Sequence, residues 1–398
     1  MRRVKYLGFI LLAVLVALAL LAGCAGKQVP TTPIKIGHIG EFTGFAAIYG
    51  PPQKEAMEYA LDEIGWEIEG RKIELISEDG GSDPATGADK ARKLAESDNV
   101  DVIIGPLLSS SGAAVAAYLQ GPGTPNIGLA NHGTELCGKM RDGIYTNIFL
   151  TDGIMPSMGY PLGKYAYEKL GYRTAALVEA DYVAGWDFNG GFQRGFEESG
   201  GRVLQIQRAP LGTMDFSPYI TALKKVDCVS YFLPGMGLAF HKQYYDAGVG
   251  IPLVEPQHDT LLATELNQLG DDVVGMVASG VWSPLIDIPQ NKAFVAGWKQ
   301  KFGKVPETHN ETGYTAVQVF LEAVRYTKGD TSHEAILDAL RNITVETPRG
   351  TVSYTTDGLG VIPVYILQVI KVDYGNEWQP LAEYPMKHIW EYPSEPTK

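Results

Sequence analysis

Three consecutive serines, Ser109, Ser110 and Ser111, stand between a β-branched run and a helical pattern in the segment "IIGPLLSSSGAAVAAYL". The Gly-Pro break before them predicts that a strand ends there and that the serines open a helix. Free backbone N–H groups and the positive end of the helix dipole favour an anion at such a position, and serine hydroxyls add hydrogen-bond donors. Serine also caps helices without any ligand. The segment therefore predicts either an anion site, for a group such as a carboxylate, or a simple helix cap.

The elements around these serines follow a regular alternation of strands and helices. From residue 34 the β-branched runs "IKIGHIG", "KIELISE" and "VDVIIG" alternate with helical patterns, and the alternation restarts after residue 151 with "TAALVEA", "GRVLQIQ" and "VDCVSYFL". This pattern is typical of an α/β fold with parallel sheets. We therefore expect two similar doubly wound lobes, with a ligand cleft where the carboxyl ends of their strands face each other.

Composition and motifs argue against an enzyme, a metalloprotein and a nucleic-acid-binding protein. The seven histidines are scattered without an H-E-x-x-H motif, and the sequence has neither a G-x-S-x-G elbow nor a Walker loop. Cys137 and Cys228 lack the spacing of a metal site, and we expect both to be free, buried thiols. Removing residues 1–23 would take away three positive charges and change the formal net charge from −13 to −16, which disfavours nucleic acid as a partner. We expect no cofactor and no metal.

The N-terminus has the pattern of a secretory signal. Two arginines and a lysine within the first five residues precede an apolar run that ends in small residues. A transmembrane anchor is the competing interpretation, but the apolar run 7–21 is short for a bilayer core of roughly 30 Å. The stretch 24–33 that follows is a small, proline-containing tether. We therefore predict a signal peptide over residues 1–23.

The predicted signal ends at a cysteine. Residues Leu21, Ala22, Gly23 and Cys24 resemble the lipobox of prokaryotic lipoproteins. The resemblance implies cleavage before Cys24 and attachment of lipid to that residue, with several acyl chains giving a stable anchor. We therefore expect the rest of the chain to work on the extracytoplasmic side of the cell membrane, either periplasmic or at the cell surface.

Landmarks along most of the chain carry a second resemblance. They are "IKIGHIGEFTG", "AAIYGPP", "ALDEIG", "KIELISEDGGSDPATGADKARKL", "VDVIIGPLLSSSG", "DYVAGWDFNGGF", "DFSPYITALKKVDCV" and "GYTAVQVF". In this order they resemble the Leu/Ile/Val-binding family of type I periplasmic solute-binding proteins, which serve ATP-driven importers. The resemblance runs from Ile34 to about Val372 and implies a non-catalytic binding protein.

The same family resemblance implies how the chain divides into lobes. Family members cross between their lobes three times, which places the crossings here near Leu150, Trp282 and Gly358. Lobe 1 would comprise 34–150 plus 283–357, and lobe 2 would comprise 151–282 plus 358–398.

By resemblance, lobe 1 supplies the polar end of the site. The family places a ligand carboxylate at the first serine of the motif, which is Ser109, with Ser110 and Ser111 beside it. The segment "NIGLANHGTEL" is similar to a family loop in which an alanine carbonyl and a threonine hold the ligand, and these positions are Ala130 and His132. His132 departs from the family threonine, so the site is expected to be polar but to have a different pattern of hydrogen bonds.

Lobe 2 and one loop of lobe 1 would complete the site. In "VEADYVAGWDF", Tyr182 and Trp186 could close over the ligand, whereas Ala184 stands where family members have an aromatic ring and would leave more room. Gln257 stands where amino-acid-binding members place a glutamate against the ligand ammonium. The resemblance also makes Tyr49 a cleft-lining residue, which could equally be a half-exposed loop aromatic.

These departures bear on the expected ligand. A buried ammonium without a carboxylate partner is heavily penalised, and Gln257 is neutral, although Glu255 and Asp259 lie close by in the sequence. We therefore expect a hydrophobic or aromatic carboxylate in preference to a branched-chain amino acid. The expected partner is the membrane permease of an ABC importer. The alternative is a ligand sensor on the same fold that signals to a membrane receptor.

Overall fold

A computed structural model describes residues 32–130 and 132–386, so the predicted signal peptide and Cys24 lie outside the described residues. Within these residues the strands are β1 Ile34–Gly40, β2 Glu67–Ile68, β3 Arg71–Asp79, β4 Val102–Ile104, β5 Asn126–Gly128, β6 Ile148–Leu150, β7 Thr174–Ala180, β8 Arg202–Ala209, β9 Cys228–Phe232, β10 Leu253–Glu255, β11 Val277–Gly280, β12 Val345–Thr347, β13 Gly350–Tyr354, β14 Gly360–Val361, β15 Pro363–Val372 and β16 Gly375–Pro385.

The helices of the described part alternate with these strands. They are α1 Gly50–Glu63, α2 Pro84–Arg92, α3 Ser109–Leu119, α4 Thr134–Arg141, α5 Pro156–Glu168, α6 Val183–Glu198, α7 Ser217–Thr221, α8 Gly237–Asp246, α9 Ala263–Leu269, α10 Pro289–Phe302, α11 Thr308–Tyr326 and α12 His333–Asn342. A π-helical segment, Lys93–Asp98, extends α2, and a 3-10 turn, Gly270–Val273, follows α9. No helix of the described part combines the length and the apolarity needed to cross a membrane.

Two large sheets organise these elements. The first has the strand order β2-β3-β1-β4-β5-β6, and its strands are parallel except for the short β2. The second has the order β16-β15-β11-β10-β9-β7-β8, with β7 to β11 parallel. We call lobe 1 the first sheet with its helices and lobe 2 the second sheet with its helices. The predicted fold class, two doubly wound α/β lobes of the type I periplasmic binding protein fold, is confirmed.

The sheets depart from uniform parallel pairing at the end of the chain. Strands β15 and β16 form an antiparallel hairpin on the edge of the lobe 2 sheet, and β12, β13 and β14 form a separate three-stranded sheet. A tight connection of two residues, Asp373 and Tyr374, joins β15 to β16, and such a short turn permits only antiparallel pairing.

The chain passes between the two sheets three times. It leaves lobe 1 after β6, returns after β11 into α10, and leaves again between β13 and β15. Residue 150 is the last residue of β6, residue 282 follows β11, and residue 357 lies between β13 and β14. The division of the chain into lobes at these residues stays a prediction.

A buried ion cluster lies beside these passages. Arg349, between β12 and β13, is fully buried and donates from Nε to the Glu311 carboxylate at 2.9 and 3.0 Å. Its Nη1 donates to Asp152, which lies in the first passage, and its backbone carbonyl accepts a hydrogen bond of 3.1 Å from the Tyr365 hydroxyl on β15. The charges of Arg349, Glu311 and Asp152 are all buried, so their mutual attraction must offset the cost of removing each from water. The cluster therefore ties α11, the first passage and β15 together.

Helices α5 and α6 of lobe 2 touch backbone to backbone. A Cβ atom on Gly163 would lie 2.1 Å from the carbonyl oxygen of Phe192, and one on Gly191 would lie 2.2 Å from that of Pro156. Only glycine permits this approach, which leaves no side chains between the two helices.

Candidate functional site

A cavity opens between the two lobes and encloses about 460 Å³ of space free of protein atoms, including its mouth. Its lining residues are Tyr49, Leu107, Leu108, Ser109, Ala130, Met155, Tyr182, Ala184, Phe188, Phe232, Pro234, Gln257, Asp259 and His309.

Most of these residues follow the carboxyl ends of parallel strands. In lobe 1, Ser109 comes after β4 and Ala130 after β5. In lobe 2, Tyr182 comes after β7, Pro234 after β9 and Gln257 after β10. Because the parallel strands of one sheet all end at the same edge, these loops converge on one cleft. Five residues predicted from the sequence therefore line one cavity: Tyr49, Ser109, Ala130, Tyr182 and Gln257.

Ser109 is the first residue of α3, and its side chain is 5% exposed. Its hydroxyl has no hydrogen-bond partner among the described residues, and Leu108 at the N-cap supplies no side-chain cap. The turn that precedes the helix is held by the buried Glu41 carboxylate, which accepts the N–H groups of Leu107 at 3.4 Å and Leu108 at 3.3 Å. Burial raises the pKa of Glu41 to about 7. The helix start is thus fixed in place, with one buried hydroxyl at the cavity wall.

His309 is a lining residue that the sequence interpretation missed. It lies in the first turn of α11, and its ring packs against Tyr49 with 4.4 Å between ring centroids. Both ring nitrogens are buried without a hydrogen-bond partner in the described part of the chain. Burial lowers the pKa of His309 to about 3, so the ring is neutral at physiological pH. Lobe 1 therefore offers an uncharged imidazole to the cavity.

Gln257 and Asp259 form the polar wall on lobe 2. The Gln257 amide nitrogen donates to the Asp259 carboxylate at 3.2 Å, while the buried Gln257 amide oxygen has no partner among residues 32–130 and 132–386. Burial raises the pKa of Asp259 to about 7. None of the residues that line this cavity in the described chain is lysine or arginine. Asp259 is therefore an acceptor without a cationic partner in the lining.

The other walls are apolar and aromatic. Phe188 and Phe232 pack with 4.5 Å between ring centroids, and Tyr182 is the N-cap residue of α6 beside Ala184. Ala184 is 3% exposed and lines the cavity, as expected for a small residue at this position. These rings give the cavity flat apolar surfaces.

Two of the three serines do not line the cavity. Ser110 is exposed, and Ser111 is buried on the side of α3 that faces α2, where its Cβ would lie 3.5 Å from a Cβ on Gly87. Successive residues of an α-helix point about 100° apart, so three consecutive side chains cannot share one cavity wall.

His132 and Trp186 also lie outside the lining. The His132 ring occupies space left by two glycines, since a Cβ on Gly112 would lie 2.4 Å from its Cε1 and one on Gly128 would lie 3.0 Å from its Nε2. Burial lowers the pKa of His132 to about 4. The half-buried Trp186 donates its indole N–H to Asp181 at 3.2 Å and stacks 5.2 Å below the Arg208 guanidinium. Both side chains are thus engaged within their own lobes.

Glu255 is unsuited to reach a ligand. It is fully buried in lobe 2, where it accepts hydrogen bonds from the Tyr231 hydroxyl at 2.7 Å and the Thr260 N–H at 3.0 Å. Burial raises its pKa to about 8. Of the two nearby carboxylates considered from the sequence, Asp259 alone is a lining residue.

Direct contacts hold the lobes together beside the cavity. The backbone N–H and hydroxyl of Thr134 in lobe 1 donate to the Asp187 carboxylate in lobe 2 at 2.7 and 3.0 Å. A hydrogen bond of 2.9 Å joins Nε2 of His258 in lobe 2 and the hydroxyl of Thr308 at the start of α11. The two lobes therefore lie in a closed arrangement around the cavity.

No group of three or more His, Cys, Asp or Glu residues in the described part is arranged to hold a metal ion. Cys137 and Cys228 are both buried and free.

Comparison with known proteins identifies the family. A family model described as "Periplasmic binding protein" matches residues 33–373. The "Leu/Ile/Val-binding protein homolog 6" of Brucella suis is 26% identical over 354 residues, which cover 86% of this chain and 89% of the relative.

Solved structures agree with this assignment. An ABC transporter substrate-binding protein from Sphaerobacter thermophilus is 29% identical with a TM-score of 0.82, over 91% of this chain and 100% of that one. A solute-binding protein of an ABC transporter from Rhodopseudomonas palustris BisB5, in complex with 3,4-dihydroxybenzoic acid, is 27% identical with a TM-score of 0.83, over 90% and 98%. The chain therefore belongs to the periplasmic binding protein family, within the group named for Leu/Ile/Val-binding proteins, and is a solute-binding protein of the ABC-transporter type and not an enzyme.

Proposed function

We propose that this protein captures a small carboxylate in the cleft between its lobes and delivers it to the membrane permease of an ABC importer. One observation carries the proposal. The Ser109 hydroxyl, the Gln257 amide oxygen and both nitrogens of His309 are buried at one cavity without protein partners in the described chain. Each unsatisfied buried polar group costs about 1–3 kcal/mol, and a ligand that hydrogen-bonds to them removes this cost.

The proposed anchor for the carboxylate is the N-terminus of α3. The Ser109 hydroxyl and the free N–H groups of the first helical turn would donate to the carboxylate oxygens, and the helix dipole favours their negative charge. Of the three consecutive serines, Ser109 is therefore the proposed ligand residue.

The proposed ligand class is an aromatic or other hydrophobic carboxylate. Tyr182, Phe188 and Phe232 supply apolar walls, and Ala184 leaves room for a ring. The neighbour from Rhodopseudomonas palustris, which is in complex with 3,4-dihydroxybenzoic acid, supports this class. A branched-chain amino acid is the second candidate, because the Asp259 carboxylate could pair with its ammonium and the Brucella suis relative is named for such ligands.

Closure of the lobes is the proposed capture step. Ser109, Tyr49 and His309 belong to lobe 1, whereas Tyr182 and Asp259 belong to lobe 2. A ligand that contacts both walls binds the closed form more tightly than the open form and so shifts the population towards closure. The Thr134–Asp187 contact would add to the stability of the closed form.

Lipid attachment at Cys24 is the proposed means of keeping the protein at the extracytoplasmic face of the cell membrane. The lipobox "LAGC" after the basic and apolar segments supports it. Wild-type protein should partition with membranes, and Cys24→Ser should acquire no lipid. Mass spectrometry that finds unmodified Cys24 in wild-type cells would contradict the anchor.

A ligand screen tests the proposed function. Purified protein without residues 1–23 is mixed with leucine, valine, phenylalanine, benzoate, 4-hydroxybenzoate and phenylacetate, and thermal unfolding is followed for each. A ligand at a hundredfold excess over its Kd stabilises the protein by about 2.7 kcal/mol. Stabilisation by the aromatic acids supports the preferred class, and stabilisation by leucine or valine alone replaces it with the second candidate. Absence of binding to every carboxylate in calorimetry would contradict the carboxylate site.

A further inference from the structure

Helix α4 of lobe 1 receives its N-terminal cap from lobe 2. The helix begins at Thr134, and its N-cap residue, Gly133, has no side chain that could accept a hydrogen bond. The first N–H groups of a helix have no partner within the helix and need an acceptor from elsewhere. Here Oδ2 of Asp187, on α6, accepts hydrogen bonds from the Thr134 backbone N–H at 2.7 Å and from the Thr134 hydroxyl at 3.0 Å. A side chain of one lobe therefore completes a helix of the other.

The two lobes approach closely at this cap. A Cβ atom on Gly133 would lie 2.9 Å from Cγ2 of Val183 and 3.3 Å from Oδ2 of Asp187, and glycine permits the approach because it has no Cβ. Asp187 is fully buried, and its Oδ1 has no hydrogen-bond partner among the described residues. The two bonds from Thr134 are those that the described chain offers this carboxylate. The cost of burying the charge is therefore reduced by α4, whose dipole favours an anion at this end.

The cap lies next to the cavity walls, although neither of its partners is among the lining residues of the described chain. In lobe 1, Thr134 follows the lining residue Ala130 by four positions. In lobe 2, Asp187 lies on α6 between the lining residues Ala184 and Phe188. Three residues along a helix correspond to about 4.5 Å, so Asp187 moves with the wall that Ala184 forms. An opening motion that draws Ala184 away from Ala130 therefore also draws the carboxylate away from α4.

We propose that Asp187 is a positioning residue, which stabilises the closed form through α4 and so sets the affinity for every ligand without touching any of them. The inference rests on the proposed capture by closure and deepens it. The apparent affinity is the affinity of the closed form multiplied by the fraction of closed protein, and loss of the cap lowers that fraction alone. Loss of the cap should therefore weaken different ligands by one common factor, whereas loss of a residue that contacts the ligand changes the preference among ligands.

Calorimetry on matched variants tests the common factor. Asp187→Ala removes the cap, and Asp246→Ala removes an exposed carboxylate from the end of α8 in the same lobe. With the two tightest ligands of the screen, Asp187→Ala should raise both Kd values by about fivefold or more, and the two factors should agree within about twofold. Asp246→Ala should keep both Kd values within about twofold of wild type. Unchanged Kd values in folded Asp187→Ala, or two clearly unequal factors, would overturn the inference and leave the proposed carboxylate site in place.

Hydrogen exchange of the Thr134 backbone N–H, followed by nuclear magnetic resonance, tests the cap itself. In the ligand-free proteins this N–H should exchange about threefold or more slowly in wild type than in Asp187→Ala, because only the capped, closed form protects it. A saturating ligand should slow the exchange further in wild type and not in the variant. Equal rates in the two ligand-free proteins would overturn the inference whether or not a carboxylate binds, whereas absence of binding by every carboxylate would contradict the proposed function.

A second variant keeps the inference testable if Asp187→Ala fails to fold. Thr134→Val removes the hydroxyl and one of the two hydrogen bonds at nearly constant volume. It should raise the Kd values of both ligands by one common factor of about threefold or more. Kd values equal to those of wild type for both ligands would overturn the inference in this variant too.

Discussion

Removing the Ser109 hydroxyl should weaken ligand binding without weakening the fold. The hydroxyl is buried at the cavity wall and has no partner in the described chain, so Ser109→Ala breaks no hydrogen bond seen within the protein. The residue is the first of α3, where alanine is well tolerated because the cap position is occupied by Leu108. The free energy of unfolding without ligand should therefore stay within about 0.5 kcal/mol of wild type.

The loss in binding can be estimated from the proposed contact. A hydrogen bond from the hydroxyl to a carboxylate is worth about 1.5–3 kcal/mol, which raises Kd by roughly tenfold to a hundredfold. At a ligand concentration of one hundred times the wild-type Kd, ligand stabilises wild type by about 2.7 kcal/mol. The same concentration should stabilise Ser109→Ala by about 1.4 kcal/mol for a tenfold loss and by about 0.4 kcal/mol for a hundredfold loss.

Calorimetry with the tightest carboxylate of the screen measures Kd, and urea unfolding with and without ligand measures both stabilities. Ser110→Ala is the matched control, because Ser110 stands in the same helical turn but is exposed and outside the lining. Its Kd should stay within about twofold of wild type. The reasoning is refuted if Ser109→Ala binds as tightly as wild type, or if Ser110→Ala weakens binding equally.

Three further predictions concern stability and pH. Arg349→Met leaves two buried carboxylates unpaired and should cost about 3–5 kcal/mol in urea unfolding, whereas the exposed ion-pair variant Arg325→Met should cost less than about 1 kcal/mol. Burial lowers the pKa of His241 from 6.5 to about 3, so the unfolded state binds more protons than the folded state and the free energy of unfolding falls as the pH drops below 6.5. The free energy of unfolding of His241→Phe should fall less between about pH 6 and 4 than that of wild type. An equal or steeper fall would contradict this. Burial raises the pKa of Glu255 from 4.5 to about 8, so its contribution to the free energy of unfolding is lost as the pH rises across that range. Glu255→Gln should lessen this decrease in the free energy of unfolding, as measured by circular dichroism. An unchanged pH profile would count against the prediction.

The sequence predicts the fold well because its signals are local. Short β-branched runs mark the parallel strands, and the Gly-Pro break at residues 105–106 separates β4 from α3, which begins three residues later at Ser109. Once the strands are parallel, their carboxyl ends must converge, and this explains why Ser109, Ala130 and Gln257 could be brought to one cavity from sequence. Their roles in binding stay predictions.

The sequence predicts side-chain directions poorly because these depend on distant neighbours. His132 turns into lobe 1 because Gly112 and Gly128 leave room for its ring, and no spacing along the chain reveals that space. His309 is two hundred residues from Ser109 in the sequence, so its place in the lining follows from the packing of α11 against α1. A histidine without periodic apolar neighbours at a helix start is the sole local signal that could have drawn attention to it.

The direct backbone contact between α5 and α6 makes these two helices one rigid unit. Helix α5 begins at Pro156, directly after the first passage between the lobes, and α6 carries the wall residues Ala184 and Phe188. Because the two backbones are in direct contact, a rotation of α5 about the first passage would move α6 and the cavity wall that it carries. We expect a larger residue at Gly163, which does not line the cavity, to displace α6 and with it the wall that Ala184 and Phe188 form, because its Cβ would lie 2.1 Å from the Phe192 carbonyl oxygen.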